Sequence, residues 1–169
     1  AYPQDRGVYT LTSTTAWNQQ LMLQDTNWVY AHHPLARDVV ASPRDRQTAS
    51  QQWRFIEVSE EHFRFINVET GRALQRTGNA NGSGATRVAS TPASWNSPEQ
   101  IWSIPDFGER SSSIYAVSNP AAGSFDDGRL VSDGVIDPTE GVSEVQAGLG
   151  TNGVDATSWL IQEHVYPRA

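Results

Sequence analysis

A tryptophan returns three times in the same local setting, and this repetition constrains the fold more than any other feature. The three segments are Gln51-Gln52-Trp53-Arg54-Phe55, Gln100-Ile101-Trp102-Ser103-Ile104 and Thr157-Ser158-Trp159-Leu160-Ile161. Each tryptophan begins a short alternating apolar run and closes a segment of about fifty residues. A repeat of this period indicates equivalent structural units, so three copies of one unit are expected to fill the chain.

Each unit is predicted to contain four short strands, with the tryptophan on the last one. The first strands are Val8-Tyr9-Thr10-Leu11, Phe63-Arg64-Phe65-Ile66-Asn67 and Tyr115-Ala116-Val117-Ser118-Asn119; the second cover 21–24, 72–75 and 129–132; the third cover 38–41, 87–90 and 144–147. A valine of each third strand, Val39, Val88 or Val145, lies 14 residues before the tryptophan of its unit. This constant spacing predicts that the third strands occupy equivalent places.

The punctuation between these strands favours an all-β fold. Thirteen glycines and nine prolines separate short runs rich in Val, Ile, Leu, Thr and aromatic residues. No segment keeps the apolar periodicity of a helix, so little or no α-helix is expected. Twelve strands in three pseudo-symmetric units predict a β-trefoil, because three such units close a barrel and share one core. One domain, 1–169, is expected, with repeats at about 7–58, 61–107 and 112–165.

Composition excludes several classes of function. The formal net charge of −7 argues against a nucleic-acid partner, which would require a basic face. Without cysteine there are no disulfides, no thiol catalysis and no cysteine-based metal sites. No apolar stretch approaches the roughly 20 residues that a membrane helix needs, so membrane insertion is not expected.

The repeated Gln-x-Trp pattern resembles that of the ricin-B-type (R-type) lectins. The segment Phe65-Ile66-Asn67-Val68-Glu69-Thr70-Gly71-Arg72-Ala73-Leu74 is similar to the opening of a repeat in that family, and the lack of cysteine is similar to its fungal and some bacterial members. The resemblance runs from about Gly7 to Ile161. It implies a β-trefoil that binds glycans or glycoproteins without a cofactor. It also implies an acidic residue after the second strand, a ring that stacks on the sugar, and a supporting polar residue before the final tryptophan.

Repeat one matches that pattern best. Asp25 follows the second strand, Gln51 precedes the tryptophan, and the intervening loop carries Trp28, Tyr30 and His32. A carboxylate bonds to vicinal hydroxyls and an aromatic ring stacks on the C–H face of a pyranose, so these five residues form the predicted site. The alternatives are that Asp25 bonds nearby backbone, that Gln51 satisfies loop backbone, and that Trp28 and Tyr30 form a minor apolar cluster.

The other repeats match less completely. Repeat three has Asp133 two residues after Val131 but Thr157 in the glutamine position, so Asp133 is the second candidate ligand. Repeat two has Arg76 where the acid is expected, and we interpret it as structural. The adjacent His32 and His33 point to opposite faces if they lie on a strand, so no metal site is predicted.

The leading hypothesis is therefore a non-catalytic lectin, with a homodimer as a candidate assembly. No nucleophile motif is present, and the four histidines lie in no recognisable catalytic pattern. The alternative is a β-trefoil protease inhibitor acting through exposed loops at 27–35 and 118–125. A third class is an interaction module that binds neither sugar nor protease.

Overall fold

The computed structural model describes residues 3–14, 19–30, 33–44, 48–80, 86–118, 128–132, 134–148 and 158–164. Within these ranges the regular structure is entirely β, apart from short 3-10 turns such as Ala49–Gln51 and Pro98–Gln100. The twelve described strands are β1 Val8–Ser13, β2 Leu21–Val29, β3 Arg37–Pro43, β4 Trp53–Ser59, β5 His62–Asn67, β6 Ala73–Ala80, β7 Thr86–Thr91, β8 Trp102–Ser103, β9 Tyr115–Ala116, β10 Leu130–Ser132, β11 Ser143–Ala147 and β12 Trp159–Glu163.

The first and fourth strands of the three repeats form a barrel. Antiparallel pairs join β1 to β4, β4 to β5, β5 to β8 and β8 to β9. A bridge between Ser112 and Trp159 leads on to β12, which pairs with β1 through five residue pairs. The ring of barrel strands is thereby closed, and none of the described barrel strands is left as a free edge.

The second and third strands form three hairpins that cap the barrel. These hairpins are β2–β3, β6–β7 and β10–β11. Their third strands also pair with one another in a cycle, β3 with β7, β7 with β11 and β11 with β3. A barrel capped by three such hairpins around a pseudo-threefold axis is the predicted β-trefoil, which the structure confirms.

The three repeated tryptophans lie in one shared core. Trp53, Trp102 and Trp159 are fully buried. Each indole Nε1 donates to a backbone carbonyl of its own second strand, at 3.0 Å to Leu23, 2.9 Å to Leu74 and 2.9 Å to Leu130. These bonds satisfy the polar atom of a buried ring and fix the second strand against the fourth.

The indole bonds also correct the predicted alignment of repeat three. The residue equivalent to Leu23 and Leu74 is Leu130, not Val131. Strand pairing agrees, because Leu130 faces Ala147 as Leu23 faces Ala41. The position equivalent to Asp25 is therefore Ser132. Because residues 130 and 131 are both apolar, the sequence pattern could not distinguish the two registers.

Candidate functional site

Asp25 is enclosed at the junction of repeats one and two. Its side chain has 0% exposure and lies 3.2 Å from Nη2 of Arg72. Ser90 donates to it at 2.6 Å, Thr70 at 2.5 Å, and the backbone N–H of Thr26 at 2.8 Å. Both carboxylate oxygens thus have partners inside the protein, and Asp25 joins two repeats; a contact between Asp25 and a sugar stays a prediction.

Gln51 likewise serves the fold. It is buried, and its amide nitrogen donates at 2.9 Å both to the Gln24 side chain and to the carbonyl of Pro43. Gln100 of repeat two makes the equivalent bond to Pro92 at 2.9 Å. Of the two readings of this glutamine, the structure supports the one in which it holds the loop after the third strand.

The positions equivalent to Asp25 in the other repeats, Arg76 and Ser132, also bond within the protein. Arg76 is buried, with Nε donating to Thr86 at 2.6 Å and Nη1 donating to the carbonyl of Ser118 at 2.9 Å. The hydroxyl of Ser132 lies 2.9 Å from that of Ser143. Asp133 itself lies outside the described residues, so its role stays a prediction.

The two aromatic candidates of repeat one have different environments. Tyr30 is buried in a small cluster with Ala36 and Ala89, and its hydroxyl donates to Thr77 at 3.2 Å. Its ring also lies 5.7 Å from the guanidinium carbon of Arg87. Tyr30 is thus part of a minor apolar cluster rather than a free platform. His32 lies outside the described residues.

Trp28 is the candidate that the structure presents to solvent. Its side chain is 43% exposed. The pairing of β2 with β3 shifts register between Asp25 and Val29, and the backbone N–H of Trp28 bonds to the Thr26 hydroxyl at 3.1 Å. A bulge of this kind redirects side chains at the end of a hairpin. Here it places the indole beside a groove.

The groove lies where the three third strands meet. Its volume is about 410 Å³, within the range of small-molecule sites. Asp38, Arg87 and Glu144 line it; each lies one residue before the buried valine of its own third strand, so the three positions are pseudo-equivalent. The three valines are buried and also border the groove, whereas Asp38, Arg87 and Glu144 supply charged groups to its lining. Asp137 and Glu140 of repeat three complete its charged lining.

Burial perturbs one acid of this groove. Desolvation raises the pKa of Asp38 above its ordinary value of 3.8, and the positive charge of Arg87 opposes that rise. The hydroxyl of Thr26 donates to the Asp38 carbonyl at 2.7 Å, which holds the strand beside the bulge. A partly desolvated carboxylate next to an exposed indole can accept hydrogen bonds from a ligand more strongly than one in bulk water.

The groove residues other than Trp28 are absent from the sequence-based site. Their signal was the constant valine spacing, since the residue before each valine must face away from the core. What sequence could not reveal is that these three positions converge from three repeats. Within the ranges described above, no group of three or more His, Asp or Glu residues is arranged to hold a metal, and no helix is long and apolar enough to cross a membrane.

Two loops, 27–35 and 118–125, carry the protease-inhibitor hypothesis. Leu35, in the first proposed loop, is 60% exposed. Most of the second proposed loop, 118–125, lies outside the described residues. Neither loop is thereby tested as an inhibitory segment.

Comparison with known proteins places these observations in a family context. A model of the family described as ricin-type beta-trefoil lectin domain-like matches residues 49–134. The designed threefold-symmetric protein ThreeFoil is 20% identical, with a TM-score of 0.64, over 92% of this chain and 97% of its own. No curated protein matches significantly.

Two natural lectins also share the fold. A Polyporus squamosus lectin, bound to a human-type influenza-binding epitope, has a TM-score of 0.69 and 15% identity over 96% of this chain and 50% of its own. The Macrolepiota procera ricin B-like lectin, in complex with lactose, has a TM-score of 0.62 and 15% identity over 95% of this chain and 98% of its own. At such identities these likenesses concern the fold.

Proposed function

Because the chain belongs to the ricin-type β-trefoil lectin family, we propose that it is a non-catalytic carbohydrate-binding protein that uses the Trp28 groove. The observation that carries this proposal is an exposed indole beside charged hydrogen-bonding groups in a groove of about 410 Å³. Family membership supports a carbohydrate-binding role. The exposure of Trp28 supports this location within the molecule.

In the proposed complex, the indole of Trp28 stacks on the C–H face of a pyranose. Asp38 and Glu144 accept hydrogen bonds from sugar hydroxyls, and Arg87 donates one. Stacking on the indole buries apolar surface of the sugar, and the hydrogen bonds to charged groups fix the orientation of the sugar. In this proposal Asp25 acts indirectly, because its bonds hold the β2–β3 hairpin that carries Trp28.

The charge of the groove predicts the class of glycan that it prefers. Among the described residues that line the groove are four carboxylates, those of Asp38, Asp137, Glu140 and Glu144, and one guanidinium, that of Arg87. An acidic sugar would experience net repulsion there, whereas neutral sugars and amino sugars would not. The groove is therefore expected to select neutral or cationic glycans.

A glycan array tests the proposal directly. The chain contains no lysine, so the fluorescent label is attached through the N-terminal amine. Wild-type protein should bind a series of glycans that share one neutral or amino-bearing terminal sugar. Trp28→Ala should lose those hits, because the stacking surface is removed while the core stays intact.

The matched control is Leu35→Ala, another exposed apolar residue of the same hairpin that does not line the groove. It should retain the array profile. Hits that survive Trp28→Ala would move the site elsewhere. A blank array would favour the inhibitor alternative, which a panel of trypsin-like and papain-like proteases then tests.

The non-catalytic part of the proposal has its own test. Wild-type protein incubated with a bound oligosaccharide should release no reducing sugar. Hydrolysis that disappears in Glu144→Gln would show that the groove carboxylates perform chemistry.

A further inference from the structure

A second tryptophan, in repeat two, is more exposed than Trp28. Trp95 lies between β7 and the turn Pro98–Gln100, and its side chain is 74% exposed. The guanidinium carbon of Arg64 lies 5.1 Å from the centre of its ring. One face of the indole is therefore covered by a cation, and the high exposure leaves the other face to solvent.

Arg64 is an unusual partner because it is buried. Arg64 lies on β5, and only 5% of its surface is exposed. Its Nη2 donates to the carbonyl of Trp95 at 2.6 Å. Its Nε is buried without a hydrogen-bond partner, and no carboxylate of the described residues forms an ion pair with it. The site therefore holds a buried guanidinium that no ion pair among the described residues neutralises directly.

Hydrogen bonds from Gln100 hold the segment that carries Trp95 in place. Gln100 donates to the carbonyl of Pro92 at 2.9 Å and accepts from the backbone N–H of Ser94 at 2.9 Å. Together with the Arg64 bond, these contacts fix the segment on both sides of the indole. Binding to a preformed surface loses less conformational entropy than binding to a mobile loop.

We propose that Trp95 and Arg64 form a second carbohydrate-contact site, which takes a carboxylate-bearing sugar. The sugar stacks on the free face of the indole. A ring stacked about 4 Å above the indole places its carboxylate roughly 9 Å from the guanidinium. This separation exceeds the Debye length of about 8 Å at physiological salt, so the attraction is expected to act mainly at low salt. Because no described carboxylate neutralises Arg64, its attraction for a ligand anion is not cancelled locally.

The two exposed tryptophans then have opposite selectivity. Trp28 lies among carboxylates, and Trp95 lies over an arginine. They belong to different parts of the fold, the hairpin cap in one case and the segment covering barrel strand β5 in the other. The second site shares with the proposed function only the premise that the chain binds carbohydrate, and each site can fail without the other.

The test compares acidic oligosaccharides with their neutral methyl esters, using pairs built on galacturonate, glucuronate and N-acetylneuraminate. Binding is followed by the indole N–H signals in two-dimensional NMR, with the Trp95 signal identified by its loss in Trp95→Phe. At low salt, at least one acid should shift the Trp95 signal and bind about fivefold or more tightly than its ester, a preference that screening removes near 1 M salt.

Variants separate the two sites. Trp95→Ala should abolish binding of the acid, whereas Val58→Ala, another exposed apolar residue, should not. Trp28→Ala should lose the neutral array ligands and keep the acid. Arg64→Gln should bind acid and ester equally; if that variant does not fold, Trp95→Ala and the salt dependence decide.

Two results would overturn the proposal. One is equal affinity for acid and ester in all three pairs, or no shift of the Trp95 signal, which would leave Arg64 as an anchor of the loop only. The other is acid binding that depends on Trp28, which would place the acidic ligand in the groove. Neither result would affect neutral glycan binding through Trp28.

Discussion

The carboxylate of Asp25 joins two repeats by bonding to residues of both. Its partners in repeat two are Thr70, Arg72 and Ser90, and its own strand supplies the N–H of Thr26. Arg72 also donates to the carbonyl of Thr26 at 2.8 Å, which is a second bond between β2 and the segment that joins β5 to β6. Removal of the Asp25 carboxylate would leave Arg72 without its ion-pair partner and the hydroxyls of Thr70 and Ser90 without this acceptor.

Replacing Asp25 should therefore affect stability first. Asp25→Ala is expected to lower the free energy of unfolding by about 3 kcal/mol, since one partner of a buried ion pair is lost. Urea denaturation followed by tryptophan fluorescence measures the change. Glu57→Ala, at an exposed position of β4, is the control and should shift the midpoint little. A stable Asp25→Ala protein that has lost glycan binding would restore a direct ligand role.

Asp38 is predicted to lower the stability of the folded protein at neutral pH while it contributes to glycan binding. Burial raises its folded pKa above 3.8, so the folded state takes up the proton at a higher pH than the unfolded state. The contribution of this group to stability therefore increases as pH falls through the raised pKa and levels off below 3.8. Asp38→Asn, which imitates the neutral form, should raise the melting temperature at pH 7, and its advantage should shrink toward pH 4.

The same variant should bind glycans more weakly, because the amide is a poorer acceptor than the carboxylate. Thermal unfolding and array binding, measured on one preparation, provide both readouts. If Asp38→Asn is less stable than wild type at pH 7, then the attraction of Arg87 outweighs desolvation, contrary to our assignment.

Among the elements, the loops that follow the third strands of repeats one and two depend on one glutamine each. Gln100 bonds to Gln75, Thr91, Pro92 and Ser94, and Gln51 bonds to Gln24 and Pro43. The side chain thus replaces the backbone partners that an irregular segment lacks. This requirement explains why glutamine recurs two residues before Trp53 and Trp102.

Gln100→Ala is expected to destabilise the protein by about 2 kcal/mol, because buried polar groups of the loop lose their partner. It should also loosen the segment that presents Trp95, which amide hydrogen exchange at Ser94 would detect. Glu99→Ala, at the neighbouring position, is the matched control and should leave exchange at Ser94 unchanged. Unaltered exchange in Gln100→Ala would mean that Arg64 alone holds the segment.

The molecule as a whole is closed by its last strand. β12 pairs with β1 through Tyr9↔Glu163, Thr10↔Gln162, Leu11↔Ile161, Thr12↔Leu160 and Ser13↔Trp159, and it contributes Trp159 to the core. These contacts join residues about 150 positions apart in sequence, so they form only after the chain between them is organised. The barrel cannot close without them.

Deletion of 159–169 should therefore prevent folding rather than weaken one repeat. Near-ultraviolet circular dichroism should lose its aromatic signal, because the three tryptophans share one core. Deletion of 165–169 alone keeps β12 and serves as the control. A truncated chain with native-like signal and cooperative unfolding would show that two repeats suffice for the core.

The sequence predicts the fold of the whole molecule better than it predicts the candidate site. The fold was predictable because inward residues such as Trp53, Trp102 and Trp159 must recur wherever equivalent strands meet one core. The site was less predictable because its groove unites residues of three repeats, and because exposure separates Trp28 from Tyr30 only two positions away. Because Leu130 and Val131 are both apolar, the sequence alone did not show which of them is equivalent to Leu23 and Leu74. The repeat boundaries stay a prediction.

The pairing of β1 with β12 also means that the chain has no structurally privileged starting point. The backbone N–H of His164 bonds to the carbonyl of Val8 at 2.8 Å, so positions near both ends of the sequence are spatial neighbours. A short linker could join them, and a new opening could be cut at the tight turn after Ser59, between β4 and β5. Such a circularly permuted protein would retain the barrel, the three capping hairpins and the exposed Trp28 and Trp95, with its strands in a different chain order.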